Sequence, residues 1–210
     1  MSEKSKQNPG SNSDRLRKVL ASDALNPKFR SHLRLADITD AEFICTLRST
    51  PELNTYISAT SSDVQAQREW LSKYKGREAA GQEFYFVIQS DGNDVGVVRL
   101  YDFREINKQQ SFSWGSWIIR PPRVSGLVTF SAVMVYEIGF DTLGFDRAHF
   151  EVIKGNDNVI SFHLRSGAVL ENTLSDRLEF GFWPEHWHTF KSESRDQIAK
   201  HRLAWGNAEA

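Results

Sequence analysis

The segment Trp114–Leu127 contains residue types that can bind an anion. It reads as a strand, a tight loop containing Arg123, and a helix that begins near Gly126. The first backbone N–H groups of a helix have no partners within it and carry a partial positive charge. A glycine lets a diphosphate approach these groups closely, and an arginine adds a charged donor. The segment therefore predicts a phosphate site, but an ordinary connection between a strand and a helix has the same pattern.

A second segment, Phe150–Ala168, joins a strand to a short helix through an asparagine-rich turn. The strand pattern ends near Ile153, Asn156 and Asn158 lie in the turn, and Gly167 follows the helix. A glycine commonly caps a helix at that place, and asparagine favours turns. Taken alone, this pattern is also typical of an ordinary connection.

The composition excludes several classes of protein. The 210 residues carry 26 basic and 27 acidic side chains, whereas a protein that binds duplex nucleic acid usually has a clear basic excess. Cys45 is the only cysteine, which excludes an internal disulfide and a metal site with several cysteine ligands. The most apolar run, Val124–Tyr136, is shorter than the roughly 20 residues that a membrane span needs. We therefore expect one soluble, cytoplasmic domain that uses no metal, nucleic acid or membrane.

The hydropathy pattern predicts the elements that position the two segments. The polar residues 1–30 indicate a mobile tail with a brief helix near Leu16–Leu20. Residues 31–190 are expected to form a single domain, and residues 191–210 a C-terminal helix. Within the domain the predicted order is a strand, two helices, three strands, a helix, a strand, a helix and two strands. This order is typical of a mixed sheet with helices packed on it, rather than of an alternating doubly wound fold.

Turn residues and one internal glycine indicate how the central strands are arranged. Asp91–Asp94 is a strong hairpin signal between two strand patterns. Gly115 lies inside the third strand pattern, Ser111–Ile119. A bulge, or the close approach of another group, is the usual reason for a glycine within a strand.

In their order and spacing, the two segments together resemble the GNAT (Gcn5-related N-acetyltransferase) superfamily. The cofactor motif of this family is Gln or Arg, two residues, Gly, one residue, and then Gly or Ala. Arg123 and Gly126 match this motif, and Val128 replaces its last small residue. Asn156 and Gly167 match the later motif, in which an Asn follows strand five and a Gly precedes strand six.

The resemblance, which spans about Leu33–Trp183, implies the GNAT fold with acetyl-CoA as co-substrate. This α+β (α/β) fold has a mixed, mostly antiparallel central sheet with helices on both faces. Its strands four and five splay apart, and the pantetheine arm lies in the gap between them. Backbone N–H groups of strand four would hold that arm, and the following loop would hold the pyrophosphate. The implied cofactor-binding residues are Trp117, Ile118, Ile119, Arg123, Val124, Ser125, Gly126, Leu127, Val128 and Asn156.

The resemblance also implies that an amine attacks the thioester directly, without a covalent enzyme intermediate, so Cys45 needs no chemical role. Many family members place a Tyr seven residues after the Asn to protonate the leaving thiolate, and His163 occupies that position here. A histidine can donate this proton; alternatively, His163 is a partly exposed helix residue without a chemical role. Several relatives carry a Glu near the position of Ser113. Glu151 on strand five is the candidate base here, with a chain of water molecules as the alternative.

The acceptor side resembles GNAT enzymes that acetylate nucleotide-linked amino sugars. Arg48, Pro51 and Trp70 match their pattern, whereas Leu47 and Ser49 depart from it. The resemblance implies Arg48 and Trp70 as substrate-binding residues, because an arginine can bind a nucleotide phosphate or a sugar oxygen. We therefore expect an N-acetyltransferase that acts on a small-molecule amine or amino sugar, in a chain that could form a homodimer. The alternatives are a ribosomal-protein-type N-terminal acetyltransferase and a non-catalytic domain that binds acyl-CoA.

Overall fold

The computed structural model describes residues 9–24, 30–57, 62–199 and 201. Seven strands in this part of the chain form one sheet: β1 (Ser31–Leu35), β2 (Phe84–Ser90), β3 (Asn93–Ile106), β4 (Gln109–Ile119), β5 (Arg147–Ile153), β6 (Val169–Thr173) and β7 (Arg177–Phe182). Their order across the sheet is β1-β2-β3-β4-β5-β7-β6. Every neighbouring pair is antiparallel except β4 and β5, which are parallel. The predicted mixed, mostly antiparallel sheet is therefore confirmed.

The α-helices occupy the places in the chain order that the sequence predicts, with two additional short ones. They are α1 (Pro9–Ala24), α2 (Ala41–Ser49), α3 (Pro51–Asn54), α4 (Val64–Ala79), α5 (Leu127–Tyr136), α6 (Asp157–Arg165), α7 (Pro184–Glu193) and α8 (Arg195–Ile198). A 3-10 turn at Ile38–Asp40 precedes α2, and α5 continues into a π-helical turn at Glu137–Thr142. No helix in the described ranges is long and apolar enough to cross a membrane.

Two apolar clusters lie on opposite faces of the sheet. Phe86 of β2 belongs to the larger cluster, which includes α5, and its neighbour Val87 belongs to the smaller cluster, which includes α2 and α4. Successive side chains of a strand point to opposite faces, so an apolar sheet of this kind needs helices on both sides. The predicted arrangement of helices on both faces is thereby confirmed.

The predicted mobile tail is wrong for residues 9–24, which form α1. Leu16 and Leu20 are buried in the larger cluster, because a spacing of four residues places both on one face of a helix. The hydroxyl of Ser13 donates a 2.7 Å hydrogen bond to the carbonyl oxygen of Glu78, and Arg17 forms an ion pair with the Glu78 carboxylate. The predicted brief helix near Leu16–Leu20 lies inside α1. Residues 1–8 and 25–29 lie outside the described residues.

The predicted C-terminal helix is shorter and broken in the structure. Helix α7 ends at Glu193, and α8 is a separate turn that ends at Ile198. His201 is fully buried beyond it: its Nδ1 lies 2.8 Å from the Ser31 hydroxyl, and its Nε2 lies 2.9 Å from the carbonyl oxygen of Ser125. The end of the described chain therefore packs against the segment that begins α5. Residues 200 and 202–210 lie outside the described residues.

The hairpin predicted at Asp91–Asp94 connects β2 to β3. Asp91 and Gly92 form its two-residue turn with φ angles of 50° and 75°, as a type I′ turn requires. A second hairpin, at Asn107 and Lys108 with φ angles of 52° and 64°, connects β3 to β4 and was not predicted. Strand β3 is therefore longer than its apolar pattern indicates, and together with β4 it extends beyond β2 toward this second turn.

Candidate active site

Strands β4 and β5 separate after a short parallel contact. Ser111 pairs with Arg147, and Phe112 pairs with Ala148, but no further pair joins the two strands in the described chain. Beyond this fork, β4 continues to Ile119 and β5 to Ile153. The facing edges of both strands therefore keep backbone groups that the sheet does not use, which is the opening expected for the pantetheine arm.

A β-bulge shapes the free part of β4. The register between β3 and β4 shifts so that both Ser116 and Trp117 stand opposite Val98, and Ser116 has a φ angle of 50°. A bulge of this kind leaves one residue unpaired and bends its strand. The hydroxyl of Tyr101 lies 3.1 Å from the position that a Cβ on Gly115 would take. The bulge expected near Gly115 is confirmed, and the group that approaches the glycine closely is the Tyr101 side chain rather than a backbone segment.

The space between the separated strands is a cleft of about 390 Å³, within the range of small-molecule sites. Among the predicted residues, the cleft is lined by Trp117, Ile118, Ile119, Arg123, Glu151, Asn156 and His163. Helix α3 and the turn after it supply residues that were not predicted, which are Glu52, Leu53, Thr55, Tyr56 and Ile57. One end of the cleft therefore reaches Arg123, and another part is covered by the region around α3. The lining does not include the other predicted residues of the phosphate loop, which are Val124, Ser125, Gly126, Leu127 and Val128.

The loop Arg123–Val128 follows the end of β4, as predicted. Arg123 is exposed, and its Nε donates a 3.0 Å hydrogen bond to the carbonyl oxygen of Ile119, which holds the guanidinium beside the cleft. The side chains of Val124 and Val128 are partly buried and pack against the larger apolar cluster. Leu127 N–H donates to the carbonyl oxygen of Val124, while the next N–H groups of α5 have no acceptor within the helix. The loop thus keeps donors for an anion at its surface.

Gly126 is required for a different reason from the one predicted. The sequence assigns its missing side chain to the close approach of a diphosphate. In the structure Gly126 has a φ angle of 86°, and a Cβ there would overlap the carbonyl oxygen of Gln197. The glycine is therefore needed because the segment around α8 packs against the start of α5. This contact joins parts of the chain that are far apart in sequence, so local spacing could not reveal it.

His163 lies in an aromatic environment at the inner part of the cleft. Only 4% of its surface is exposed, and its ring centroid lies 4.3 Å from that of Phe150 and 5.3 Å from that of Trp114. Burial lowers the pKa of His163 to about 3, so its imidazole is uncharged at neutral pH. Its Nδ1 is buried and has no hydrogen-bond partner among the described residues. The prediction of a partly exposed side chain is wrong, because this face of α6 packs on the sheet.

Glu151 lines the cleft from β5, on the strand face opposite to Phe150. Its side chain is half exposed, and its carboxylate accepts a 2.6 Å hydrogen bond from Nη1 of Arg177 on β7. Glu151 therefore lies at the cleft, as expected of a candidate base, but Arg177 of the neighbouring strand β7 binds its carboxylate. The guanidinium of Arg177 neutralises part of the charge of the Glu151 carboxylate.

Neither of the two predicted acceptor residues is among those that line the described cleft, but Arg48 contacts a residue that does. Nη1 of Arg48 lies 3.5 Å from the hydroxyl of Ser116 at the bulge. Trp70 is not among the residues that line the described cleft. Its ring stacks on Tyr74 at 5.8 Å, and the guanidinium of Arg99 lies 5.2 Å from its centroid. Trp70 therefore supports the acceptor side from the layer behind it, in the smaller apolar cluster.

Two further features had no signal in the sequence. The hydroxyl of Tyr56 donates a 2.8 Å hydrogen bond to the carbonyl oxygen of Gly155, which joins the turn after α3 to the turn after β5. Near the fork, His149 of β5 lies between Ser111 of β4 and Asp102 of β3. These partners come from separate elements, so only the folded arrangement of the sheet brings them together.

Comparison with known proteins identifies the family. The family model described as "Acetyltransferase (GNAT) domain" matches residues 30–169. Among solved structures, apo FdhC, described as a nucleotide-linked sugar GNAT, is 43% identical with a TM-score of 0.72, covering 84% of this chain and 98% of its own. A comparison with curated proteins found no match.

More distant structures share the fold. Mycobacterium smegmatis RimJ, solved with CoA-disulfide, is 18% identical with a TM-score of 0.66, covering 79% of this chain and 90% of its own. Spermidine N-acetyltransferase from Vibrio cholerae, solved with CoA and spermine, is 18% identical with a TM-score of 0.63, covering 76% of this chain and 98% of its own. The family model matches residues 30–169, and a solved structure is 43% identical to this chain. Because the split sheet agrees with both findings, the chain belongs to the GNAT acetyltransferase family.

Proposed function

We propose that this protein is an acetyl-CoA-dependent N-acetyltransferase that acts on the primary amine of a nucleotide-linked amino sugar. The observation that carries this proposal is the position of Arg48, whose Nη1 lies 3.5 Å from the hydroxyl of Ser116, a residue of the β4 bulge that lines the open cleft. The 43% identity to a nucleotide-linked sugar GNAT supports the same acceptor class. An arginine at this place suits a phosphate or a sugar oxygen.

The chain offers the donors that an acyl-CoA needs. The backbone groups of segment 117–119 that are directed away from β3 face a gap that β5 leaves open, and such groups can hold an amide-rich arm as an added strand would. Arg123 and the first amides of α5 suit a diphosphate, while Asn156 lines the cleft at the start of α6. These residues fit CoA, which supplies the thioester when it is bound.

The proposed reaction is direct transfer to the amine without an acyl-enzyme. Backbone N–H groups at the bulge are placed to polarise the thioester carbonyl, and fixed donors of this kind contribute several kcal/mol to acyl transfer in other enzymes. His163 lies uncharged in the cleft, so we assign it the donation of a hydrogen bond to the departing sulfur rather than the delivery of a proton from imidazolium. Glu151 places a carboxylate where an ammonium group would enter.

Transfer to a protein N-terminus has less support from the acceptor side. A basic peptide would need an acidic groove, to which Asp63, Glu69 and Glu78 of the α4 region could contribute. Glu78 is fully buried in ion pairs with Arg17 and Lys75 and cannot face such a groove. A non-catalytic role was motivated by crowding of the phosphate loop, but Val124 and Val128 pack toward the core.

The proposal is tested by measuring thiol release from acetyl-CoA with a panel of amines. The panel contains nucleotide-linked amino sugars, the same sugars without the nucleotide, and N-terminal peptides. We expect turnover with the first group and little with the others. Turnover with peptides alone would refute the acceptor class, and calorimetric binding of acetyl-CoA without turnover on any amine would favour the non-catalytic alternative.

A separate variant tests the role of His163. His163→Phe keeps an aromatic ring in the aromatic pocket and removes the N–H donor. We expect lower turnover with little change in the affinity for acetyl-CoA. Unchanged turnover would remove His163 from the mechanism.

A further inference from the structure

Three side chains from neighbouring strands form a hydrogen-bonded chain next to the fork. The hydroxyl of Ser111 on β4 lies 2.7 Å from Nδ1 of His149 on β5, and Nε2 of His149 lies 3.1 Å from Oδ2 of Asp102 on β3. Ser111 is fully buried, His149 is nearly buried, and the Asp102 side chain is 44% exposed. The chain therefore runs from the interior of the sheet to an accessible carboxylate.

The partners determine which nitrogen of His149 carries the proton. A carboxylate only accepts hydrogen bonds, so Nε2 must donate to Asp102. Burial lowers the pKa of His149, which keeps the ring neutral and leaves Nδ1 as an acceptor. The Ser111 hydroxyl therefore donates to Nδ1. In this arrangement Ser111 fixes the tautomer of His149, and His149 fixes the position of the Asp102 carboxylate.

The backbone holds Asp102 in an uncommon conformation. Its φ angle is 51°, and it lies where the register between β3 and β4 shifts after Tyr101. A non-glycine residue with positive φ is uncommon, and such residues cluster at functional sites. Both contacts of the carboxylate, with His149 and with Arg104 at 3.4 Å, end on Oδ2. Oδ1 keeps its capacity to accept a hydrogen bond from a ligand.

None of these three side chains lines the described cleft, but they lie next to residues that do. His149 shares its strand face with Glu151, which lines the cleft, and lies two residues closer to the fork, a distance of about 7 Å along a strand. Tyr101, which precedes Asp102, pairs with Ser113 and places its hydroxyl against Gly115 at the cleft. Asp102 is therefore joined to the inner end of the cleft through two neighbours, Tyr101 along its own strand and His149 across the fork.

We propose that Asp102 is the general base of the acyl transfer, with His149 and Ser111 as its positioning residues. The inference rests on the proposed function. The nitrogen lone pair forms the C–N bond as the C–S bond breaks, the electron pair leaves with the sulfur, and the amine proton passes to Oδ1 of Asp102. Glu151 is less suited to this task because Nη1 of Arg177 binds its carboxylate at 2.6 Å. The guanidinium of Arg104 stays 3.4 Å from Oδ2 of Asp102, and the hydrogen-bond donor to Asp102 is a neutral imidazole.

The test compares Asp102→Asn with Asp91→Asn. Both aspartates have a φ near 50°, which asparagine tolerates well, and both are bonded to a side chain, but Asp91 lies in the β2–β3 turn. With the amine that the wild type acetylates, we expect Asp102→Asn to lower kcat/KM by about 100-fold or more. The affinity for acetyl-CoA should stay unchanged, and Asp91→Asn should behave as wild type.

NMR of ¹⁵N-labelled histidine supplies a readout that does not depend on turnover. We expect the proton of His149 on Nε2 in the wild type, and a lower pKa of His149 in Asp102→Asn than in Asp91→Asn. The charged groups that face His149 are Asp102 and Arg104 of β3 and Arg147 of β5, while β4 contributes the uncharged Ser111. Removing Asp102 leaves only the two arginines, and both oppose protonation.

The outcomes separate this inference from the proposed function. If the wild type acetylates an amine and Asp102→Asn keeps a kcat/KM within threefold of the wild type, the role of Asp102 is overturned and the proposed function stands. A proton on Nδ1 of His149 would overturn the positioning chain. If the wild type acetylates no amine, the proposed function and this inference both fail.

Discussion

The hydroxyl of Tyr56 donates a 2.8 Å hydrogen bond to the carbonyl oxygen of Gly155, and this bond joins the two sides of the cleft. Tyr56 belongs to the turn after α3, whereas Gly155 follows β5 and has a φ angle of 91°. Tyr56 also lines the cleft, although its side chain is exposed. The contact therefore bridges the open strands on the side where α3 covers them.

Replacing Tyr56 by phenylalanine should loosen this bridge without unfolding the protein. A single exposed hydrogen bond contributes about 1 kcal/mol, so we expect a small change in Tm and a KM for the acceptor that rises severalfold. Steady-state kinetics with varied acceptor measure the effect. Thr189→Val is the control, because its hydroxyl donates a 3.2 Å hydrogen bond to the carbonyl oxygen of Glu185 on α7 and it does not line the described cleft. Equal effects of both variants would show that the bridge is unimportant for the acceptor.

Arg48 should distinguish acceptors that carry a phosphate from those that do not. Loss of a charged hydrogen bond costs about 1.5–3 kcal/mol, so Arg48→Gln should raise KM at least tenfold for a nucleotide-linked amino sugar. The KM for the same sugar without its nucleotide should change little. Arg165→Gln, at the exposed end of α6, is the control. If Arg48→Gln raises KM equally for both sugars, Arg48 does not bind the nucleotide.

Gly126 and Gly76 provide opposite outcomes for the same substitution. Gly126→Ala forces a side chain onto a residue with φ of 86° and against the Gln197 carbonyl, so we expect a loss of about 2 kcal/mol or more. Gly76 lies in α4 with nothing within 4 Å of a Cβ position, so Gly76→Ala should stabilise by roughly 0.5–1 kcal/mol. Urea unfolding measures both changes. A Gly126→Ala variant as stable as wild type would contradict the assigned packing.

The parts of the fold that were predictable depend on local chemistry. Asp91 and Gly92 suit a tight hairpin, and the apolar run after Gly126 suits a buried helix, so both elements could be read from neighbouring residues. Helix α1 was predicted only as a brief helix near Leu16–Leu20, because the polar segment around it holds too few apolar residues to indicate its length and burial. Leu16 and Leu20 become buried only because the fold supplies the surface that they cover.

In the candidate site, too, the residues that belong to local motifs could be predicted, whereas contacts between distant elements could not. Arg123, Asn156 and the free edge of β4 follow from motifs with a fixed spacing, and they line the cleft. The Asp102–His149 contact could not be predicted, because it depends on a register shift in β3 and on the fork between β4 and β5. Sequence spacing does not encode contacts between side chains of three different strands.

The buried imidazole of His163 should make the stability of the protein depend on pH. A histidine in the unfolded chain has a pKa of about 6.5, whereas burial lowers the pKa of His163 to about 3 in the folded protein. As the pH falls below about 6.5, the unfolded state gains a proton that the folded state does not bind. The free energy of unfolding is therefore highest above this pH and decreases as the pH falls toward 3.

His163→Phe should remove this dependence while it fills the same aromatic pocket. By linkage, the wild type should lose about 2 kcal/mol more than the variant between pH 8 and pH 5, since each unit of pKa difference corresponds to about 1.4 kcal/mol. Urea unfolding of both proteins at the two pH values measures this difference, and all other titrating groups are common to both. His188→Gln removes an exposed histidine and should follow the wild type. Parallel pH dependences of wild type and His163→Phe would mean that His163 is protonated in the fold, and its assignment as a neutral donor in the cleft would fail with it.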